Sequence, residues 1–462
     1  MINNLELHLA NIINHQPSLP IVVAYSGGID SQVLLHLLAQ LSDKKIINNP
    51  ITVCHVNHGL SDNAQAWQQF AEQQCQQFNL RLVINTVNVQ AKKQHSLEAL
   101  ARDARYLALQ EVNLHKSLII TGHHSDDQSE TFLLALKRGA GLKGLSAMKL
   151  QSALGQHVLL RPLLKIAREE IERYAQHNLL HWIEDESNRD VRFDRNFIRQ
   201  QIMPLLSQRW PSINHTINRS AAHCLEGQVL LDELAEQDLT KIKLTDNSLQ
   251  VSQLTHLSVA RFNNLIRFFL AQHHVVMPSK EQLIQLHKQL FASQDKCPQV
   301  KVGDHFLRRF KDVLQLTAVF VDVSQWQQEI NLLVDDCKIT LPDNLGSLHL
   351  SNVAFGFIQA TAAKAQGVIE QVAKVQSVKL AEAGQVVSVR FAHNNPKCLP
   401  DYRQHSRLLK KVLQELDIAP WQRKRIPFLY YDEVLVAAIG HFVCQPHLPK
   451  SDEVCIHLSY VI

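Results

Sequence analysis

The sequence predicts an α/β protein that begins with a parallel sheet covered by helices on both faces. Two observations lead to this prediction. Between residues 21 and 137, four short and nearly all apolar runs alternate with longer segments whose apolar residues recur at intervals of three and four. Short apolar runs are typical of buried strands, and the longer pattern is typical of amphipathic helices. Their regular alternation predicts a parallel sheet with helices on both sides.

The elements of this N-terminal sheet can be placed one by one. Strands are predicted at Ile21–Ala24, Thr52–Val56, Leu82–Val87 and Leu118–Thr121. Helices are predicted at Ser31–Leu41, Ala64–Phe78, Ser96–Leu114 and Asp127–Lys137. In open sheets of this kind, ligands bind beyond the carboxyl ends of the strands. We therefore expect the loops after the first, second and fourth strands to line one shared crevice.

The rest of the sequence changes its pattern twice. After Pro204 it turns helical, and helices are predicted at Ala221–Leu239, Val259–Ala271 and Lys280–Phe291. From about residue 320 short strand-like runs return, at Ile339–Leu341, Ser347–Leu350, Val386–Phe391 and Val434–Ile439, with one helix at Gln404–Leu416. A length of 462 residues also favours about three domains. We predict a catalytic domain at 1–215, a mostly α domain at 216–320 and a small α+β domain at 321–462.

Composition excludes several classes of protein. With 45% apolar and 19% charged residues the chain is expected to fold throughout, and a formal charge of +4 is too small to identify a nucleic-acid partner. The eight cysteines contain no C-x-x-C pair, so neither a zinc knuckle nor a disulfide framework is predicted. The sequence lacks a basic leader followed by an apolar run, and no segment approaches the roughly 18 apolar residues of a membrane span. The predicted compartment is the cytoplasm.

A glycine-rich segment after the first predicted strand has the features of a phosphate loop. It reads Ser26-Gly27-Gly28-Ile29-Asp30-Ser31, and a helix is predicted to follow at once. Glycines let the backbone approach an anion closely while free N–H groups of the helix point at it. The serines add hydroxyl donors, and Asp30 can hold Mg²⁺. The kinase-type loop G-x-x-x-x-G-K-[ST] does not occur, so a kinase-like or GTPase-like phosphate site is not predicted.

This loop resembles that of the N-type ATP pyrophosphatases, the PP-loop superfamily, which transfer AMP to a carbonyl oxygen and release pyrophosphate. Six further segments resemble, in order, the bacterial tRNA(Ile)-lysidine synthetases. They begin at His55 (HVNHGL), Glu98 (EALARDARY), Gly122 (GHHSDDQSE), Arg138 (RGAGLKGLSAM), Arg161 (RPLL) and Trp182 (WIEDESNRDVRFDRNFIR). The resemblance is close over about the first 210 residues. It implies a Rossmann-like PP-loop ATPase fold for the catalytic domain.

Charged side chains in these segments are the catalytic candidates. Arg102 and Arg105 share one helix face and can grip phosphates, although a solvated ion-pair face would give the same spacing. Asp126, Asp127 and Glu130 lie at the predicted end of a strand, where they suit Mg²⁺ or a cationic nucleophile. The helix dipole alone would also favour acids there. The residues predicted to bind Mg²⁺ are Asp30 and Asp127, and those predicted to contact the nucleotide outside the phosphate loop are His55, Gly122 and His123.

The C-terminal part of the sequence carries a local basic patch with an aromatic residue. Phosphate neutralisation combined with base stacking is how loop and single-stranded RNA is held. The patch therefore predicts tRNA binding, although an ordinary basic helix surface would have the same composition. Its members are Arg403, Arg407, Lys410, Lys411, Trp421, Arg423, Lys424 and Arg425.

The family resemblance implies a carbon–nitrogen ligase that acts in two steps. The wobble cytidine of an isoleucine tRNA with a CAU anticodon attacks the α phosphate of ATP, and free lysine then displaces AMP to form lysidine. Two alternatives remain: a tRNA thiolase of the same superfamily, which passes sulfur through cysteine pairs or an iron–sulfur cluster, and a non-catalytic nucleotide- or RNA-binding protein. The resemblance leaves the oligomeric state open, and a homodimer is one of the states it allows.

Overall fold

The structure is a computed structural model that describes residues 4–16, 18–57, 59, 63–87, 97–290, 297–330, 336–354, 374–450 and 453–461. The chain divides into two compact units, Met1–Glu233 and Leu234–Ile462. The side chain of Glu98, which begins one of the family-like segments, lies outside the described residues. No helix in the described ranges is long and apolar enough to cross a membrane.

The first unit is built on a six-stranded sheet. The order of its strands is β3-β2-β1-β4-β6-β5. The parallel pairs are β3 with β2, β2 with β1, β1 with β4 and β4 with β6. At the edge of the sheet, β5 pairs antiparallel with β6. The predicted parallel sheet is thus confirmed. Its strands are β1 Ile21–Tyr25, β2 Ile51–Asn57, β3 Arg81–Thr86, β4 Leu118–Ile120, β5 Gln151–Leu154 and β6 His157–Leu160.

Helices cover both faces of this sheet, as the alternating sequence pattern requires. On one face Val23 of β1 belongs to the same core cluster as Leu34. On the other face Val22 packs in a cluster with Leu109. The helices of the first unit are α1 Asn4–Asn14, α2 Ile29–Asp43, α3 Ala64–Gln77, α4 Leu97–Glu111, α5 Ser125–Lys137, α6 Leu142–Leu145, α7 Arg168–His177, α8 Asp194–Phe197, α9 Met203–Arg209 and α10 Ile213–Ile242. The last of these, α10, runs on into the second unit.

The second unit begins with helices and a small antiparallel sheet that share one core. Helices α11 Val251–Leu254, α12 Val259–Gln272 and α13 Lys280–Leu290 include the two predicted there. The sheet has the order β7-β8-β11-β10-β9 and was not predicted from the sequence. Its strands are short and carry many polar residues: β7 Lys243–Thr245, β8 Ser248–Gln250, β9 Gln299–Val302, β10 His305–Phe310 and β11 Val313–Ala318.

The C-terminal part of this unit is mixed, as predicted. Two antiparallel sheets, in the orders β12-β16-β19-β20-β21 and β13-β14-β22-β15, contribute to one core cluster. Their strands are β12 Gln327–Ile330, β13 Asp336–Thr340, β14 Ser347–Ala354, β15 Lys374–Lys379, β16 Val387–Arg390, β19 Phe428–Tyr431, β20 Val434–Ala438, β21 Phe442–Val443 and β22 Val454–Val461. Two short strands, β17 Lys397–Cys398 and β18 Arg407–Leu408, and two helices, α14 Leu409–Glu415 and α15 Pro420–Arg423, complete it.

The predicted helix Gln404–Leu416 is shorter in the structure. Residues Arg407 and Leu408 pair antiparallel with Lys397 and Cys398, so their backbone is extended and the helix begins only at Leu409. Pairing with the short strand that precedes them in the sequence therefore overrides the helical pattern of these residues.

Candidate active site

A cavity of about 610 Å³ opens at the carboxyl ends of the parallel strands. Residues that follow β1, β2 and β4 all line it, so the three loops meet at one crevice. Nine of the candidates from the sequence contribute to its wall: Ser26, Asp30, Ser31, His55, Arg102, Arg105, Gly122, His123 and Asp127. The other lining residues were not among the candidates, and they include Trp67, Tyr106, Asp185, Arg195, Asn196 and Arg199.

The phosphate loop is held in shape by its own hydroxyl groups. Ser31 Oγ donates to the carbonyl of Gly28 at 2.8 Å, and Ser26 Oγ lies 3.1 Å from Ser31 Oγ. Gly27 has φ +83°, a left-handed conformation that favours glycine, and its carbonyl accepts from Ile183 N at 2.9 Å. Gly28 precedes α2 with no side-chain cap, so the N–H groups of the first helical turn are oriented to receive an anion.

Gly122 is required by a close approach between two loops. A Cβ atom at this position would lie 3.0 Å from the backbone carbon and oxygen of Asp30 and 3.2 Å from Ser31 N. Backbone atoms cannot move aside as the end of a flexible side chain can. The absence of a side chain at Gly122 therefore lets the loop after β4 lie directly against the start of α2.

Asp30 already has a cationic partner in the structure. Arg168 Nη1 donates to both carboxylate oxygens of Asp30 at 2.7 Å, and His124 Nε2 lies 3.6 Å from Oδ1. Burial raises the pKa of Asp30, and the charges of His124 and Arg168 only partly offset that rise. The carboxylate is thus oriented at the cavity wall by a guanidinium that comes from 138 residues further along the chain.

The start of α5 is organised by His124. This residue is the N-cap: its Nδ1 accepts from Asp126 N at 3.3 Å, and its own N–H donates to Asp127 Oδ2 at 3.1 Å. Asp126 accepts from Arg168 N at 3.1 Å and from Asn214 Nδ2 at 2.9 Å. Asp126 therefore joins three segments of the first unit, and it is not among the residues that line the cavity.

Two arginines hold the other two acids. Arg199 donates to Glu130 Oε1 at 2.6 Å and to Asp127 Oδ1 at 2.9 Å, and Arg195 donates to Glu130 Oε2 at 2.9 Å and to Asp127 Oδ1 at 3.2 Å. The Glu130 side chain is only 2% exposed and does not line the cavity, whereas Asp127 does. Burial alone would raise the pKa of Asp127, but the charges of His124 and Arg195 outweigh it and hold the pKa below its usual range.

This arginine pair was missed as a set of functional residues. Arg195 and Arg199 are four residues apart, and Asp127 and Glu130 are three apart, so each pair can face the other across two packed helical segments. The family-like segment R-N-x-x-R contained this signal. The sequence alone did not say that the two pairs, about 70 residues apart, would meet.

The histidines of the cavity have distinct surroundings. His55 is buried, and its Nδ1–H donates to the carbonyl of Tyr25 at 3.1 Å. His123 Nδ1 lies 2.8 Å from Thr121 Oγ1. Burial lowers the pKa of both rings, so both are neutral at pH 7 and can serve as hydrogen-bonding groups.

Arg102 and Arg105 both reach the cavity wall from one face of α4. The guanidinium of Arg102 lies 5.2 Å from the centre of the Tyr106 ring, an arrangement that orients the cation without neutralising its charge. Burial lowers the pKa of Arg105, although its side chain remains accessible from the cavity.

Comparison with known proteins gives the family. Profiles match for the PP-loop domain at residues 1–206, the TilS substrate binding domain at 249–315 and the TilS substrate C-terminal domain at 387–460. The tRNA(Ile)-lysidine synthase of Serratia proteamaculans is 41% identical over 444 residues, 96% of this chain and 95% of that protein. Those of Pectobacterium atrosepticum and Haemophilus influenzae are 40% and 38% identical, over 95% and 91% of this chain and 94% of each relative. The chain belongs to the tRNA(Ile)-lysidine synthase family.

The match to the TilS substrate C-terminal domain includes the predicted basic patch of this tRNA(Ile)-lysidine synthase family member. The residues of the patch differ in their contacts and in their exposure. Arg403 and Arg407 both pair with Glu415. Arg423 Nε donates to the carbonyl of Ile418 at 2.7 Å. Three lysines of the patch have exposed side chains: Lys410, Lys411 and Lys424.

The remaining two members of the patch are partly buried. Arg425 is 12% exposed and pairs with Asp343 at 2.6 Å. Trp421 packs edge to face against Phe310, with ring centres 6.2 Å apart. Of the eight predicted residues, the three lysines and Arg407 are exposed.

Proposed function

We propose that this protein ligates lysine to the wobble cytidine of the isoleucine tRNA with a CAU anticodon. The observation that carries the proposal is a chain-length match to tRNA(Ile)-lysidine synthases that includes the PP-loop domain and both TilS domains. The enzyme is a ligase that forms carbon–nitrogen bonds. Its product changes the codon and amino-acid specificity of the tRNA from methionine to isoleucine.

The reaction takes place in two steps at the cavity of the first unit. The cytidine carbonyl oxygen attacks the α phosphate of ATP, and the bond to pyrophosphate breaks. The ε-amino nitrogen of lysine then attacks the activated ring carbon, AMP leaves, and the nitrogen gives up a proton. The phosphate loop receives the triphosphate through Ser26, Ser31 and the N–H groups at the start of α2, because these are the donors that converge there.

The cationic wall positions the phosphates and the cytidine. Arg102 and Arg105 are the arginines of α4 that line the cavity, and each can make two hydrogen bonds to a phosphate or pyrophosphate. His55 and His123 are neutral donors or acceptors for the nucleotide or the base. Holding the reacting atoms together in this way lowers the entropic cost of both steps.

Asp127 is the acid that we assign to the lysine substrate. Its carboxylate lines the cavity and stays ionised, so it can attract an ammonium group and hold the lysine with its amine near the adenylate. Asp126 and Glu130 were equal candidates from the sequence. Neither lines the cavity, so their contacts with Arg168, Arg195 and Arg199 make them positioning residues for this wall.

Mg²⁺ would be held by Asp30 and, before lysine occupies the cavity, by Asp127. The described residues contain no group of three or more His, Cys, Asp or Glu side chains arranged around one point. Nucleotide-bound Mg²⁺ needs only one or two carboxylates, because phosphate oxygens and water supply the other ligands. The ion would neutralise charge on the phosphates.

Lysine incorporation tests the proposal directly. Purified protein is expected to incorporate labelled lysine into the isoleucine tRNA with a CAU anticodon, in a reaction that depends on ATP and Mg²⁺ and that forms AMP. The elongator methionine tRNA, which has the same anticodon, serves as the control. Bound ATP without any lysine incorporation would refute the proposal.

A tRNA thiolase is the less well supported alternative to the proposed ligase. Cys54 is the cysteine among the lining residues that the structure describes, and burial raises its pKa to about 12. At neutral pH it is a protonated thiol and a poor nucleophile. A non-catalytic protein would require that Asp30, Asp127 and Arg102 could be replaced without loss of function.

The exposed lysines of α14 are expected to act in tRNA binding and not in chemistry. Replacing Lys410 and Lys411 together by Ala should raise the Michaelis constant for tRNA several-fold and reduce its salt dependence, because two phosphate contacts are lost. The rate at saturating tRNA should stay unchanged. Steady-state lysine incorporation at several salt concentrations measures both quantities, and an equal loss of the saturated rate would contradict this division of labour.

The remaining parts of the proposal concern organisation. Residues 216–320 and 321–462 form the tRNA-binding part of the enzyme, in keeping with the TilS matches within them. The enzyme works in the cytoplasm, where its tRNA and lysine are present. A homodimer is the oligomeric state that we propose to test, by sedimentation with and without tRNA.

A further inference from the structure

The second unit contains an arginine that is enclosed by aromatic rings. Arg308 lies on β10 and is only 6% exposed. Its guanidinium carbon is 4.8 Å from the ring centre of Phe306, 4.6 Å from that of Phe320 and 5.6 Å from that of Trp421. Phe306 and Arg308 are two residues apart on the strand and so share one face of the sheet.

Three hydrogen-bond donors in this enclosure lack acceptors. Nε and Nη1 of Arg308 and Nε1 of Trp421 are buried, and none has a hydrogen-bond partner among the described residues. Arg425 shares the Phe320 ring at 4.1 Å, but it has its own carboxylate partner, Asp343. Two guanidinium groups thus meet at one ring, and the ion pairs found in the described part of the chain give a carboxylate to only one of them.

Such an arrangement calls for an anion. Burying a charge is costly unless the charge is paired and hydrogen-bonded, and unsatisfied buried donors are rare in folded proteins. Cation–π contact attracts the positive charge but gives its N–H groups no acceptor. A phosphate group carries negative charge on several oxygens, so it can accept from the two nitrogens of Arg308 and from Trp421 together.

We propose that Arg308 and Trp421 form a phosphate site that receives a backbone phosphate of the bound tRNA. Arg308 lies in the TilS substrate binding match and Trp421 in the TilS substrate C-terminal match, so one phosphate would contact both. The rings that cover the donors are only half-buried, and Phe320 lies in the connection between β11 and β12, outside regular structure. Access of a phosphate to the buried donors requires these rings to rotate. The proposal rests on the proposed function, because tRNA supplies the phosphate.

The salt dependence of tRNA binding tests this site. The full-length Arg308→Met variant keeps an apolar side chain of similar length and removes the charge. Because one phosphate contact is lost, the slope of log affinity against log salt should fall by about 0.7 to 0.9. The loss of affinity between 50 and 200 mM salt should then be about three-fold smaller than in the unmodified protein. Arg390→Met is the matched control: Arg390 also stacks on a ring, that of Tyr430 at 3.7 Å, but it is paired with Glu433, so its slope should stay unchanged.

Two further variants keep the test decisive. Arg308→Lys retains the charge and should retain most of the slope. Trp421→Phe keeps a ring but removes one neutral donor, so it should weaken tRNA binding several-fold at constant salt with the slope unchanged. This variant provides the test if Arg308→Met fails to fold. An unchanged slope for Arg308→Met, or unchanged affinity for Trp421→Phe, would overturn the proposal.

Inorganic phosphate distinguishes the source of the ligand. With the ATP site filled by an ATP analogue that cannot be cleaved between the α and β phosphates, added phosphate should leave the melting temperature of the unmodified protein unchanged if the site needs the tRNA backbone. A rise that disappears in Arg308→Met, together with an unchanged slope of tRNA binding in that variant, would show that the site takes free phosphate and would overturn tRNA as its ligand. The variants are compared by direct tRNA binding and not by lysine incorporation. A failure of lysine incorporation would therefore refute the proposed function but would not decide whether this phosphate site exists.

Discussion

Replacing Asp30 by Asn is expected to lower the rate of AMP formation by about 10²- to 10³-fold, the usual effect of removing one preorganised electrostatic group from an active site. Asn keeps the shape of the side chain but loses the charge that would hold Mg²⁺, and it leaves Arg168 without its carboxylate partner. Single-turnover formation of labelled AMP from ATP, with tRNA bound and lysine absent, isolates this step.

Two further variants are needed to interpret the result for Asp30→Asn. Asp43→Asn changes an exposed acid at the other end of the same helix, α2, and should leave the rate unchanged. Arg168→Gln removes the partner but keeps the carboxylate, so it should cost much less than Asp30→Asn if Asp30 acts on the nucleotide. Equal losses in the two variants would mean that the ion pair as a structural unit, and not the carboxylate, supports the reaction.

The first half of the fold could be predicted because its sequence carries simple local patterns. Strand β1 and its neighbours are short and nearly all apolar, since both faces of a parallel sheet are covered by helices. The five-stranded sheet of the second unit was missed for the opposite reason. Its strand β10 places two adjacent arginines, Arg308 and Arg309, in the interior, and β7 and β8 have only three residues each. Strands of this kind have no pattern that distinguishes them from loops.

The residues of the active site also divide into those that the sequence could identify and those that it could not. The phosphate loop is a continuous segment whose glycines, serines and aspartate are all needed at one point, so it can be identified locally. Partners such as Arg168 for Asp30 come from more than a hundred residues away, and no local pattern encodes that distance. For this reason the acidic residues of α5 looked equivalent in the sequence. The structure separates Asp127, which lines the cavity, from Asp126 and Glu130, which do not.

Glu130→Gln is expected to destabilise the first unit by about 3 kcal/mol, because removing one partner of a buried ion pair leaves the other charges uncompensated. Glu130 is 2% exposed and accepts from both Arg195 and Arg199. Urea unfolding of the full chain measures the change. Glu169→Gln is the matched control: it alters an exposed acid that lies 3.9 Å from Arg173, and it should change stability by less than about 0.5 kcal/mol.

A compensated variant separates the structural role of this cluster from its catalytic role. Combining Glu130→Leu with Arg199→Met replaces the buried Glu130 and its 40% exposed partner Arg199 by apolar side chains and should recover much of the lost stability. Lysine incorporation should stay low, because Asp127 then keeps Arg195 but loses Arg199, one of the two guanidiniums that orient its carboxylate. Recovery of both stability and lysine incorporation would mean that the cluster only stabilises the fold. Recovery of stability alone would mean that the cluster also supports the reaction, either by positioning Asp127 or through Arg199, which itself lines the cavity.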